Sequence, residues 1–311
     1  MKQVKITIPA TTANLGPGFD CLGLALGLYN HVTFTAVSPI HPFHDQPCMT
    51  LDITIAGIDA HKVATDSSNL VVQSANHLFQ LVEKRPSALH MHQFNNIPVG
   101  SGLGSSSTAV LAGLLGANAL VNGNLSCADL LQIANEIEGH PDNVAPAFYG
   151  GLVLGAQTEQ ILHIEQLPIA PMQAIIVLPD FHLLTSAARA ALPTHISRAD
   201  AIYNAGHLGL LIRALETADY DKLAIAMQDK LHHPYRIPLI PGMEPAFAAA
   251  RQAGAKGVAL SGAGPSLIAF APDNHEAIVE AVTAVFANAG LSSRSWILPI
   301  DKTGSIIQIS E

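Results

Sequence analysis

The chain has 311 residues, of which 49% are apolar and only 13% charged, with 15 Lys and Arg against 24 Asp and Glu and a net charge of −9. That length suits two units of about 150 residues, each with a sizeable core, while the acidic balance runs against a basic nucleic-acid groove and a membrane-surface role. The cations are also unevenly spread, since none stands between Arg85 and Arg189.

Period-two alternation predicts strands over residues 4–8, 31–35 and 51–55. The intervening residues 9–20 are rich in turn formers and read as a loop that presents Asn14 and Asp20 at a sheet end. Ser68 and Asn69 cap a helix running to about Leu81, residues 89–94 alternate again, and a Gly/Ser loop opens an Ala-rich helix from Ser105 to Val121. A further helix spans Ser126 to Glu138, and a strand, 152–156, follows Gly150 and Gly151. The Pro-containing stretch 167–171 marks a boundary, which divides the chain into units 1–168 and 169–311. Beyond it come a strand (174–178), helices (197–216, 219–230, 242–252), two strands (257–260, 267–271), a helix (275–288) and a strand (293–298). With the extra helices set aside, that is the split-βαβ order.

Mean hydropathy is +0.32, yet the most apolar helical stretch, residues 109–121, carries Asn118 and falls short of the ~20 residues a bilayer requires. It reads as a buried helix. The opening residues MKQVKITIPA alternate like a strand and lack an apolar signal-peptide core, so a cytoplasmic protein is expected. Cys21, Cys48 and Cys127 are widely spaced and point to structural thiols. The pairs His41/His44, His90/His92 and His232/His233 lack neighbouring Cys or a His-Glu-x-x-His pattern and read as ordinary histidines.

The most informative stretch is P-V-G-S-G-L-G-S-S-S at 98–107, leading into the helix. Alternate glycines let backbone N–H groups turn inward, and the helix N-terminus adds orphan donors and a positive dipole end. That is an anion site. It contains no Lys, so it is not a Walker A loop, and its glycine spacing does not fit G-x-G-x-x-G. Backbone amides, hydroxyls and Mg²⁺ would therefore carry the phosphate charge. Glu138 stands at a helix C-terminus, where the macrodipole disfavours an anion unless a cation sits beside it. S-G-A-G-P-S at 261–266 lies between two predicted strands, placed to press its backbone on the phosphate site.

These segments, together with P-A-T-T-A-N-L-G-P-G-F-D-C-L-G-L-A-L at 9–26 and E-G-H-P-D-N-V-A-P-A at 138–147, resemble the GHMP kinases, and within them the homoserine kinases, in order and over nearly the whole chain. The resemblance implies an α+β, two-domain fold, ribosomal-protein-S5-like in its N-terminal half and ferredoxin-like in its C-terminal half. It implies transfer of the γ-phosphoryl of ATP to the hydroxyl of L-homoserine, a step of threonine biosynthesis, by a homodimer. Carried over by position, Pro98, Val99, Gly100, Ser101, Gly102, Leu103, Gly104, Ser105, Ser106, Ser107 and Thr108 would wrap the triphosphate. Asn69 would lie near the adenine, and Ser106 and Glu138 would hold Mg²⁺. Asn14, Asp20, His140, Asn143, Thr185, Arg189 and Arg236 would form the acceptor site, with Asn143, Asp20 and Arg189 nearest the chemistry.

Those residue types suit the substrate. Asp20 can pair an ammonium, and two Arg can clamp a carboxylate. The first motif lacks the Lys that mevalonate kinases use, so catalysis by positioning, Mg²⁺ and the helix dipole is expected, without a dedicated base. The short interval between Glu138 and His140 departs from some branches of the family and leaves Glu136 as a second candidate metal ligand. A GHMP kinase for a different small alcohol and a non-catalytic nucleotide sensor are the alternative readings.

Overall fold

The computed structural model describes residues 2–37, 40–43, 49–158 and 161–310; His44 and Cys48 lie outside them. Alternating Val4, Ile6 and Ile8 start β1 (Gln3–Asn14), and the chain turns at residues 15–17 into β2 (Gly18–Ala36). The two pair antiparallel along their whole length, from Gln3 opposite Thr35 to Asn14 opposite Gly18. Where the sequence predicts a loop over residues 9–20, the structure thus continues both strands. Ala10 to Asn14 are buried at every position. Successive side chains point to opposite faces, so this end of the sheet is covered on both sides and loses the period-two signal.

Next come β3 (Ile40–Pro42), β4 (Thr50–Gly57), α1 (Leu70–Leu81), β5 (Lys84–Pro86) and β6 (Ala88–Asn95). Three helices follow: α2 (Ser105–Val121), α3 (Cys127–Glu138) and α4 (Pro141–Tyr149). Apolar on nearly every side, α2 is the buried helix its composition predicts. It packs with α1 against Val4, Ile6 and Phe34 of the sheet. The sequence pattern misses α4 because of Pro141 and Pro146, but Pro141 occupies the first turn, where a missing N–H has no helical partner to lose. The hairpin β7 (Leu152–Gln157) and β8 (Leu162–Leu167) completes this half by pairing with Leu22–Leu24 of β2.

The second half holds β9 (Gln173–Pro179), α5 (Thr185–Ala190), α6 (Arg198–Thr217), α7 (Tyr220–Ala226), α8 (His233–Arg236), α9 (Met243–Gln252), β10 (Gly257–Leu260), β11 (Leu267–Phe270), α10 (His275–Asn288), β12 (Ser293–Pro299) and β13 (Ile306–Ser310). Its sheet runs β10-β11-β9-β12, all neighbours antiparallel, which is the split-βαβ order anticipated from the sequence. The first sheet runs β13-β1-β2-β6-β4, with β7 and β8 attached to β2. The chain leaves the first sheet after β8, and β13 returns to it, a crossing that a simple division at residue 168 does not contain. A shared core including Leu22, Leu24, Leu26, Ile176, Leu215 and Phe270 binds the two halves together. Among the described residues, no helix is long and apolar enough to cross a membrane.

Candidate active site

A cavity of about 590 Å³ is lined from both halves of the chain. Its floor is the loop before α2. Leu103 is fully buried in the shared core, an anchor worth about 2 kcal/mol, and its carbonyl accepts a hydrogen bond from Thr11 N at 3.2 Å. Gly102 lies at φ +78°, and a Cβ there would stand 2.3 Å from Ser261 O and 2.8 Å from Gly264 O. Only glycine allows the approach. Ser261 Oγ donates to Gly102 O at 2.6 Å, and Ser266 N donates to Ser101 O at 3.3 Å. On the other side Asn14 Nδ2 donates to Gly262 O at 2.9 Å, while Gly262 N donates to Ala13 O at 3.1 Å. The segments 9–26, 98–107 and 261–266 therefore stack backbone on backbone.

Val99, Gly100, Ser101, Gly102, Gly104, Ser105 and Ser106 line the cavity, whereas Pro98, Leu103, Ser107 and Thr108 do not. Thr108 instead closes the first turn by donating to Ser105 O at 2.8 Å. The end of α3 faces the start of α2: Ser106 Oγ and Ser107 Oγ donate to Glu138 Oε2 at 3.0 and 2.6 Å. Glu136, the other candidate, accepts from Gln132 Nε2 at 2.9 Å and does not line the cavity. Ser106 and Glu138 offer hard oxygen donors at a helix N-terminus, a set that fits Mg²⁺, which takes one or two protein ligands alongside phosphate and water. A second cluster, Asp20, His140 and Asp142, brings ligand atoms within 4.8 Å of one another. Those groups already satisfy each other and Arg189, so they make a hydrogen-bond network rather than a vacant chelate.

In that network, Arg189 grips Asp20 through both nitrogens, at 2.8 and 2.9 Å. Asn14 Oδ1 accepts from Asp20 N at 3.0 Å, and Asn14 and Asp20 both take positive φ, at 70° and 57°. Asn14 thus serves the turn as well as the cavity. His140 Nδ1 lies 2.5 Å from Asp142 Oδ1, and this bond holds the imidazole pKa above its ordinary value, outweighing the effect of burial. Asn143 receives a hydrogen bond from Thr11 Oγ1 at 2.8 Å and donates to Asp142 Oδ1 at 3.3 Å. Asp142 is only 1% exposed. It is a site residue that sequence reasoning passed over, although it stands inside the quoted motif.

Arg236, at the end of α8, is 2% exposed and lines the cavity with Thr185 and Arg189. Its hydrogen bonds go to carbonyls, Ala188 O at 3.3 Å and Gly262 O at 3.4 Å, and among the described residues it forms no ion pair. Burial, then the charge of Arg189, pulls its pKa down. Both guanidiniums approach the Phe19 ring, with Arg189 Cζ 5.7 Å and Arg236 Cζ 5.0 Å from its centroid. The carboxylates of Asp20, Asp142 and Asp229 act on it only from a distance, and a buried cation without a direct ion-pair partner leaves room for an anion in the cavity.

Another part of the cavity is walled by Val63, Ala64 and Leu70 beside Asn69, Gln93 and Asn95. Lys62 reaches the cavity here, which corrects the expectation that no Lys or Arg is at hand for phosphate charge. The gap in sequence from residue 86 to 188 is not a gap in space. Lys62 is held by Asp59 at 3.3 Å, and Asp59 also accepts from Val99 N at 3.1 Å.

Comparison with known proteins bears on this arrangement. The model of the GHMP kinases N terminal domain matches residues 69–151, and that of the GHMP kinases C terminal matches residues 211–288. A homoserine kinase of Synechococcus sp. is 45% identical, with 98% of each chain covered, and one of Nostoc punctiforme is 42% identical at the same coverage. The crystal structure of homoserine kinase from Cytophaga hutchinsonii superposes with a TM-score of 0.85 at 29% identity, covering 98% of this chain and 97% of that one. The L. major mevalonate kinase in complex with R-mevalonate shares the fold, with a TM-score of 0.71 at 18% identity, covering 96% of each chain.

Proposed function

The chain belongs to the GHMP kinase family, among its homoserine kinases, and on that footing we propose how its residues phosphorylate L-homoserine. The loop 99–106 and the N-terminus of α2 receive the triphosphate of ATP, their amides and the helix dipole facing its charge, with Lys62 nearby. Ser106 and Glu138 hold Mg²⁺, which when bound neutralises phosphate oxygens. Arg236 and Arg189 take the carboxylate of homoserine, Asp20 its ammonium, and His140 and Thr185 complete the pocket. The support is Arg236, buried in the cavity wall beside Arg189 with hydrogen bonds to carbonyls and no direct ion pair among the described residues: an acceptor with a carboxylate can pair with it, and a plain alcohol cannot.

Asn143, fixed by Thr11 and Asp142, holds the acceptor hydroxyl in line with the γ-phosphorus. The hydroxyl oxygen forms the new bond to phosphorus as the bond to the β,γ-bridging oxygen breaks and ADP leaves, and the hydroxyl proton passes to an oxygen of the transferred phosphoryl group and on to solvent. Asp142 is engaged by His140 and Asn143, and Asp20 by Arg189, which supports a step driven by alignment and charge rather than by a dedicated base. A homodimer in the cytoplasm belongs to the same reading, on the family likeness alone.

Arg236→Met tests it. Losing a charged bidentate contact should raise KM for homoserine about 100-fold with KM for ATP little changed. Unfolding stability should hold or rise, because a buried unpaired cation is replaced by an apolar chain of similar length. An unaltered homoserine KM would remove the observation on which the acceptor assignment rests.

A further inference from the structure

His232 is fully buried and does not line the cavity, yet it stands between the two elements that carry the acceptor's charge partners. It immediately precedes α8, the helix of Arg236. Its Nε2 donates to Gly16 O at 2.9 Å, in the turn at 15–17 that leads to Asp20. A carbonyl can only accept, so the ring hydrogen sits on Nε2. Nδ1 has no hydrogen-bond partner among the described residues, and burial, opposed by the charge of Asp229, pulls the ring's pKa down. The imidazole is thus neutral, with one donor aimed at the turn. Its ring stacks on Phe19 with centroids 5.2 Å apart, the same ring that both guanidiniums approach. The main chain behind it is held firmly. Asp229, its side chain fully buried, accepts from the N–H groups of Leu231, His232 and His233 at 3.0, 2.8 and 2.6 Å. From α6, Asn204 Nδ2 donates to Asp229 Oδ1 at 2.7 Å, and Asn204 Oδ1 accepts from Lys230 N at 2.9 Å.

We propose that His232 is a positioning residue for the acceptor: through Gly16 and Phe19 it ties the turn that leads to Asp20 to the helix that carries Arg236, and so sets the distance between the partners of the acceptor's ammonium and carboxylate. The proposal rests on the acceptor reading above. An α-amino acid bears both charged groups on one carbon, so their partners must be held at one short spacing, and a positioning error of about 1 Å is expensive in such a site. Packing alone does not account for the residue. An apolar side chain would fill the same buried space without leaving Nδ1 unsatisfied, but it would lack the donor to Gly16. Being neutral, the ring also places no further positive charge beside Arg236.

The test compares His232→Gln with His232→Asn in steady-state kinetics on the full-length chain. Both are neutral amides, but the Gln Nε2 reaches the place of the imidazole Nε2, whereas the Asn Nδ2 falls short of Gly16 O. His232→Asn should raise KM for homoserine about tenfold, as expected for one lost buried hydrogen bond, with KM for ATP changed by less than about twofold. His232→Gln should stay within about threefold of the wild type in both. Phe286→Leu, in a core cluster that takes no residue of the 15–20 turn, controls for lost stability and should leave both constants as they are. The proposal fails if His232→Asn keeps the wild-type homoserine KM, if His232→Gln rises with it, if KM for ATP rises in step, or if Phe286→Leu reproduces the shift. Failure of the acceptor reading shows separately, as a wild-type chain that does not turn over homoserine.

Discussion

Gly100 and Gly102 both sit at positive φ in the loop before α2, at 68° and 78°, but of the two only Gly102 is pressed against another backbone. Alanine at either position incurs roughly 1–2 kcal/mol of left-handed strain. At Gly100 nothing more follows, because the nearest atoms to a new Cβ belong to the His182 ring at 3.6 Å. At Gly102 the Cβ would meet Ser261 O at 2.3 Å, so the loop and the 261–266 turn must separate by about 1 Å to restore ordinary contact. Overpacking of that kind adds roughly 1–3 kcal/mol, and a 1 Å displacement of a positioning loop costs on the order of 100-fold in turnover. Gly102→Ala should therefore lose about 2–5 kcal/mol in urea denaturation and about 100-fold in ADP release with homoserine. Gly100→Ala should stay within about 2 kcal/mol and several-fold of the wild type. Equal behaviour of the two variants would refute the claim that the stacked backbones hold the loop in place.

Other consequences are open to measurement. Glu138→Gln should raise the Mg²⁺ concentration needed for half-maximal turnover by about tenfold or more, while Glu136→Gln keeps the wild-type Mg²⁺ response; the reverse pattern would transfer the metal role. His140 has a folded-state pKa raised chiefly by its hydrogen bond to Asp142. Its contribution to stability is therefore complete below the unfolded value of about 6.5 and is lost as pH rises through the folded value. The stability gap between wild type and His140→Gln should be widest near pH 5.5–6 and narrow towards pH 9, and a gap that widens with pH would contradict the assignment.

The loop at 98–107 and its helix are legible in the sequence because their signal is local: alternate glycines, serines at a helix start and an apolar run follow one another directly. The split-βαβ order of the second half is legible for the same reason. The β1–β2 hairpin is not, since burial on both faces removes the alternation that marks a strand. Arg189 and Arg236 were placed by resemblance, and no spacing rule relates Arg236 to Asn14, yet both contact Gly262. Lys62, Gln93 and Asn95 carry no motif. They reach the cavity through the pairing of β4 with β6 and the seat of α1 beside them, so their roles exist only after the chain has folded. Asp142 lay in plain view between His140 and Asn143, but a carboxylate beside a Pro and an Asn looks like turn chemistry until its burial is known.

The central claim is that this cavity passes a phosphoryl group to an amino-acid alcohol. Its most direct test is ADP release by the wild-type chain with MgATP across L-homoserine, L-threonine, mevalonate and galactose, with the phosphorylated product identified by mass. The geometry predicts turnover with L-homoserine, formation of O-phospho-L-homoserine equal to the ADP released, and little or none with mevalonate or galactose, which bring no ammonium to Asp20. Turnover favouring mevalonate or galactose, or MgATP binding with no turnover on any of the four, would contradict it.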